Sequence, residues 1–99
     1  MAPRGLAVHA GSRPALACSS LPSRLQLYPG ARAQRYRLRS MVCYYGQHYQ
    51  ALVLVPDAGG WLMFDDTRVS RVGAWADVRR KCEAGRIQPS VLFYEAAAT

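Results

Sequence analysis

The first 40 residues contain no aspartate or glutamate. Seven arginines lie among them (Arg4, Arg13, Arg24, Arg32, Arg35, Arg37 and Arg39), so the formal net charge of +7 belongs to this stretch. The remaining residues carry six basic and six acidic side chains and are balanced. A strongly basic chain points to nucleic acid or an anionic surface, but here that inference reaches only the first 40 residues. No apolar run approaches the roughly 18–20 residues that a membrane span requires, so no span is expected. The three cysteines, Cys18, Cys43 and Cys82, are odd in number and none has CxxC spacing. Neither a disulfide framework nor a zinc ribbon is indicated, and no metal or cofactor is expected. Reduced thiols fit the cytoplasm or nucleus. No internal repeat is visible. A chain of 99 residues holds one small domain. At about 60 residues such a domain buries only about 60% of its unfolded surface.

Two parts of unlike character are present. Residues 1–34 form a basic leader in which proline and glycine recur and no period of 2 or 3.6 is sustained; disorder is the expectation. Its Arg-, Ala- and Ser-rich composition also resembles a mitochondrial transit peptide, which makes mitochondrial import the alternative localisation. Prolines interrupt any amphipathic helix there, and a secretory signal lacks its apolar core of about 7–15 residues. Residues 35–95 form the globular part and 96–99 a tail. Leu38 to Tyr45 and His48 to Val55 are rich in β-branched and aromatic residues and are joined by Gly46-Gln47. Pro56 to Gly60 is a turn, and Trp61 to Phe64 a third strand ended by Asp65-Asp66. The spacing predicts a helix over Val72 to Ala84, with Trp75, Val78 and Cys82 on one face and Gly85 as its left-handed cap. A last strand runs from Ser90 to Tyr94. The fold class is α+β, an antiparallel meander with one helix.

Two residues are candidates for chemistry. His48 starts a strand, and Asp65 ends the strand after the glycine turn. If these strands form a hairpin, their outer ends lie together and the carboxylate can orient the imidazole, as in a nucleophile–histidine–acid triad. The same pair also fits an ordinary surface ion pair, and spacing alone leaves both readings open.

The segments YYGQHYQALVLV, GGWLMFDDTRV and SVLFYE resemble, in order and spacing, the three closing blocks of the ubiquitin-specific peptidases, a branch of the ubiquitin carboxyl-terminal hydrolases (peptidase family C19). The matching residues are Gly46, His48, Tyr49, Trp61, Phe64, Asp65, Asp66, Leu92, Phe93 and Tyr94, within about 60% of the chain. The resemblance implies part of a papain-like cysteine-peptidase domain acting on ubiquitin isopeptide bonds. It implies that His48 is the catalytic base and Asp65 the residue that orients it. It also implies ubiquitin or a ubiquitinated protein as partner, together with an N-terminal half of the domain that supplies the nucleophile.

Two departures follow. The family's Gly-Asn-Thr-Cys-Tyr-type box, at a helix start that lowers the thiol pKa, has no match. Cys18 lies in the leader, Cys43 mid-strand and Cys82 on the apolar helix face. This chain alone is therefore expected to be inactive. Gln47 stands where active members usually have glycine beside a narrow channel for the ubiquitin tail, and its side chain crowds that channel. A long residue there, Cys43-Tyr44-Tyr45-Gly46, Lys81-Cys82, Gly85 and Gln88-Pro89 resemble the branch reported as inactive. Trp61 and Trp75 read as packing aromatics. Arg79-Arg80-Lys81 read as a solvated helix face, with no stacking platform for nucleic acid beside it. His9 has no assigned role. A rival reading is a protein whose basic leader binds anionic surfaces or directs import, with a passive globular part.

Overall fold

The computed structural model describes residues 4–9, 21–27 and 33–97. Among them the elements are β1 (Gly5–His9), β2 (Arg24–Leu27), β3 (Gln34–Tyr45), β4 (His48–Val55), β5 (Gly60–Asp65), β6 (Arg68–Gly73), α1 (Trp75–Gly85) and β7 (Gln88–Ala96). Pro56–Ala58 makes one 3-10 turn between β4 and β5. All strands belong to one antiparallel sheet in the order β1-β7-β3-β4-β5-β6, and β2 joins the N-terminal half of β3. The fold is α+β, with β3 to β6 as the expected meander and β7 returning to the other edge of β3.

Four expectations need correction. The leader is not disordered throughout: Gly5–His9 pairs with β7 and Arg24–Leu27 with β3. Their backbone partners lie up to 90 residues away in sequence (Gly5 opposite Glu95), so no local period announces them. Arg68–Gly73 is an additional strand; it lies at the sheet edge, mostly exposed, and lacks the apolar alternation of a half-buried strand. Val72 belongs to it, so the helix begins at Trp75. The left-handed cap is Arg86 (φ 55°) rather than Gly85, which stays helical. Ile87 N–H donates to Cys82 O at 2.9 Å, and this closure turns the Ile87 side chain into the core.

The core lies on one face of the sheet, and two β-bulges make it continuous. Tyr36 and Leu38 are buried, and so are Met41 and Cys43. Strict alternation would put the second pair on the opposite face. Arg39 is an extra residue between the pairs Leu38–Tyr94 and Ser40–Phe93, and it restores the phase. Ser90 does the same in β7 between Val42–Val91 and Cys43–Pro89, so Ile87 and Pro89 share a face with Leu92 and Tyr94. Val78 and Cys82 of α1 pack into the same cluster with Trp61 and Met63. At its other end Leu21 closes the cluster, and Tyr94 Oη donates to Pro22 O at 2.7 Å. Burial holds the Tyr94 phenol above its usual pKa.

The helix N-terminus explains one glycine pair. Asp77 accepts a hydrogen bond from Ala74 N–H at 2.9 Å, which also depresses its pKa. Gly60 (φ 140°) sits so close to Gly73 that an added Cβ would lie 2.4 Å from the Gly73 carbonyl oxygen. The opposite sheet face carries Phe64, Ala51, Val42 and Val91 in one cross-strand row, with Phe93 exposed in the next. No described helix covers it.

Candidate active site

His48 and Asp65 are placed by two hairpins that end side by side. Tyr45 pairs with His48 across the two-residue Gly46-Gln47 link. Gly46 has φ 62° and open space around its Cβ position, so the turn needs its conformational freedom, not its small size. Gln47 is exposed and has no positive φ. Asp65 is the last residue of β5, opposite Arg68 across the Asp66-Thr67 turn, with Asp66 left-handed at φ 54°.

The β4–β5 register, running from Val55–Gly60 to Ala51–Phe64, brings the two strand ends together. His48 Nε2 is hydrogen-bonded to Asp65 Oδ1. Gln50 Nε2 donates to Asp65 Oδ2 at 3.2 Å, so the carboxylate is held at both oxygens. His48 and Asp65 have side-chain exposures of 39% and 35%, open enough for a proton to be exchanged. The hydrogen bond to Asp65 raises the His48 pKa above its usual value, aided by the charges of Asp65 and Asp66 and opposed by desolvation. The same bond lowers the Asp65 pKa, with help from the His48 charge, the Gln50 amide and the Arg68 charge. With Nε2–H donated to the carboxylate, the neutral ring carries its lone pair on Nδ1. That tautomer can act as a base towards an approaching thiol or hydroxyl.

A cleft of about 510 Å³ adjoins the pair, lined by Tyr45, Gln50, Asp65, Arg68 and Lys81 among others. Gln50 Oε1 is buried and has no hydrogen-bond partner among the described residues. Donor atoms of His48, Asp65 and Asp66 lie within 4.8 Å of one another. A divalent ion could use this set only by displacing the Nε2–Oδ1 hydrogen bond.

Of the other residues singled out in the sequence, Tyr49 points to the opposite face, where its ring lies 5.0 Å from that of Tyr44. Trp61 is buried and stacks obliquely on Trp75, their centroids 5.4 Å apart. Phe64 is exposed on the open face. Arg79, Arg80 and Lys81 line the exposed side of α1, and Arg80 pairs with Asp77. Cys43 and Cys82 are buried thiols at 0% and 2% exposure, and neither can meet a substrate. Cys18 and the His9 side chain lie outside the described residues. Sequence reasoning missed Gln50; its signal was the strand period, which puts residue 50 on the face of residue 48.

Comparison with known proteins bears on this site. The family model described as ubiquitin carboxyl-terminal hydrolase matches residues 11–94, beginning inside the stretch read as leader. Ubiquitin carboxyl-terminal hydrolase 54 of Rattus norvegicus is 38% identical over 65 residues, which is 65% of this chain and 4% of the relative. Ubiquitin carboxyl-terminal hydrolase 53 of Homo sapiens is 38% identical over 65 residues, 65% of this chain and 6% of the relative. A chain from a structure of the SAGA DUB module bound to monoubiquitin superposes with a TM-score of 0.55 at 24% identity. That superposition covers 79% of this chain and 18% of the other, and it shows a shared fold. The chain thus spans a small fraction of the length of each of these proteins.

Proposed function

This chain belongs to the ubiquitin carboxyl-terminal hydrolase family, and from that premise we propose that it supplies the base-bearing part of a cysteine-type deubiquitinase domain and does not hydrolyse ubiquitin conjugates by itself. The observation that carries the reading is the His48–Asp65 hydrogen bond, formed where two hairpins end together, while both described cysteines are buried. In a completed site His48 Nδ1 takes the proton of a thiol supplied by another segment. The thiolate attacks the isopeptide carbonyl carbon, and His48 returns the proton to the departing lysine amine. Asp65 keeps the ring in the tautomer this requires and stabilises the imidazolium. Gln50, by holding the second carboxylate oxygen, is a positioning residue. Ubiquitin or a ubiquitinated protein is the partner that the family implies. Gln47, exposed beside His48, puts a side chain where the ubiquitin tail would pass.

The test exposes the chain to ubiquitin bearing a C-terminal electrophile and reads intact mass. No adduct is expected from the chain alone. Mixing with an N-terminal family segment that carries the cysteine box should give cleavage once Gln47→Gly clears the path of the tail, and His48→Ala should remove it. An adduct on the isolated chain that disappears in Cys18→Ala would overturn the proposal.

A further inference from the structure

Among the described residues, the fold brings four of the N-terminal arginines, Arg24, Arg35, Arg37 and Arg39, to one end of the sheet. β2 pairs with β3 so that Arg24 lies opposite Arg37 and Gln26 opposite Arg35. Tyr36 and Leu38 point into the core, so Arg35 and Arg37 stand on the open face of the sheet. Leu38 N–H donates to Ser23 O at 2.8 Å. The next pair along, Arg24–Arg37, is therefore a non-hydrogen-bonded pair, the kind in which facing side chains come closest. Like charges directly opposite one another are destabilising. The acid nearest to this group is Glu95, opposite Arg37, and it pairs with Arg39 at 3.3 Å. Among the described residues no acid is paired with Arg24, Arg35 or Arg37. Two hollows of about 400 and 330 Å³ flank this group, and Arg37 and Ala97 line both. The first also has Arg24 and Arg35 in its wall and no acid, so it is the favoured seat for an anion; the second has Arg39 together with its partner Glu95.

We propose that this end of the sheet is a binding site for a small molecule carrying clustered phosphate groups. Guanidinium groups take phosphate oxygens two at a time. A phosphate between Arg24 and Arg37 would convert their repulsion into attraction to a common partner. The hollows fall in the range of about 300–1,000 Å³ typical of sites for single small ligands. A strand pair bearing arginines without aromatic side chains on its outer face offers nothing for nucleobases to stack on. The site is on the face opposite to His48 and does not depend on the peptidase reading.

The experiment is calorimetric titration of the full chain with inorganic triphosphate at low and moderate salt. One-to-one saturable binding that weakens as salt rises is expected. The double variant Arg24→Gln/Arg37→Gln should lose affinity by about tenfold or more. Its melting temperature should match or exceed that of the parent, because a repulsive pair has been removed. The control Arg79→Gln/Lys81→Gln removes equal charge from α1 and should bind as the parent does. Equal weakening in both variants would show a diffuse charge effect and overturn the proposal. So would absence of saturable binding, or binding only to phosphatidylserine vesicles or duplex DNA but not to triphosphate.

Discussion

Deleting a single residue from β3 should be nearly harmless at one position and damaging three residues later. Arg39 is the extra residue of the bulge, and its removal leaves Leu38 and Met41 two positions apart, in regular alternation on the buried face. The other edge of β3 does not resist the change, because the β2 side is bonded only up to Leu38 and β4 pairs only from Ser40, which leaves Arg39 between them. What is lost is the exposed Arg39–Glu95 pair, worth about 0–1 kcal/mol. Deleting Val42 is different. If the bulge stayed, Leu38 and Met41 would both leave the core, or Cys43 and the hairpin that carries His48 would change face. The least costly response is to surrender the bulge, which keeps Leu38 and Cys43 inside but puts Ser40 where Met41 was. Met41 is fully buried, and losing a side chain of that size costs about 2–5 kcal/mol. Against a total stability of about 5–15 kcal/mol this is a large fraction. Equilibrium urea denaturation separates the two. With an m-value of about 1.3 kcal/mol/M, the midpoint should fall by at least about 1.5 M for the Val42 deletion and by less than about 0.8 M for the Arg39 deletion. Equal shifts, or the reverse order, would refute the assignment of Arg39 as the phase-restoring residue.

Further expectations concern the site and its supports. In Asp65→Asn the His48 pKa should fall, since the hydrogen bond that raises it is weakened and its charge is gone; an unchanged imidazole titration by NMR would contradict the coupling. His48 is raised, so its contribution to stability is complete below the unfolded histidine value and is lost as pH rises through its folded pKa. Asp65 is lowered, so its contribution is present above the unfolded carboxyl value and is lost as pH falls through its folded pKa. The joint contribution should therefore be greatest between about pH 4 and 6.5, and the pH profiles of the parent and of His48→Ala should converge outside that window. Gly60→Ala should destabilise by about 1–3 kcal/mol, because its methyl would meet the Gly73 carbonyl and its φ is unfavourable for alanine; a melting temperature equal to the parent's would argue against that close approach. Tyr94→Phe removes the bond to Pro22 O and should cost about 0.5–1.5 kcal/mol, read from the same denaturation curves.

The sequence by itself determined a good deal. Local chemistry marked the β3–β4 hairpin through Gly46, which alone in that link takes a positive φ, and it marked the strand His48–Val55 by its β-branched and aromatic run. The face formed by Trp75, Val78 and Cys82 was legible from a period of 3.6 residues, which belongs to the helix before any partner is present. The two candidate residues, His48 and Asp65, could be named because strand starts and strand ends carry local signals.

The rest was decided only in three dimensions. Whether His48 meets Asp65 depends on the register between β4 and β5, which many pairs set together. The strands Gly5–His9 and Arg24–Leu27 exist through backbone partners far along the chain, and β6 through its place at an edge, so none has a local period to read. The bulges at Arg39 and Ser90 break the alternation that sequence reading relies on, and only a neighbouring strand can show which residue is the extra one. The grouping of the arginines has the same origin. Their number was visible from the start, but the opposition of Arg24 to Arg37 is a property of strand pairing, since main-chain hydrogen bonds bring distant residues to fixed positions regardless of side-chain charge.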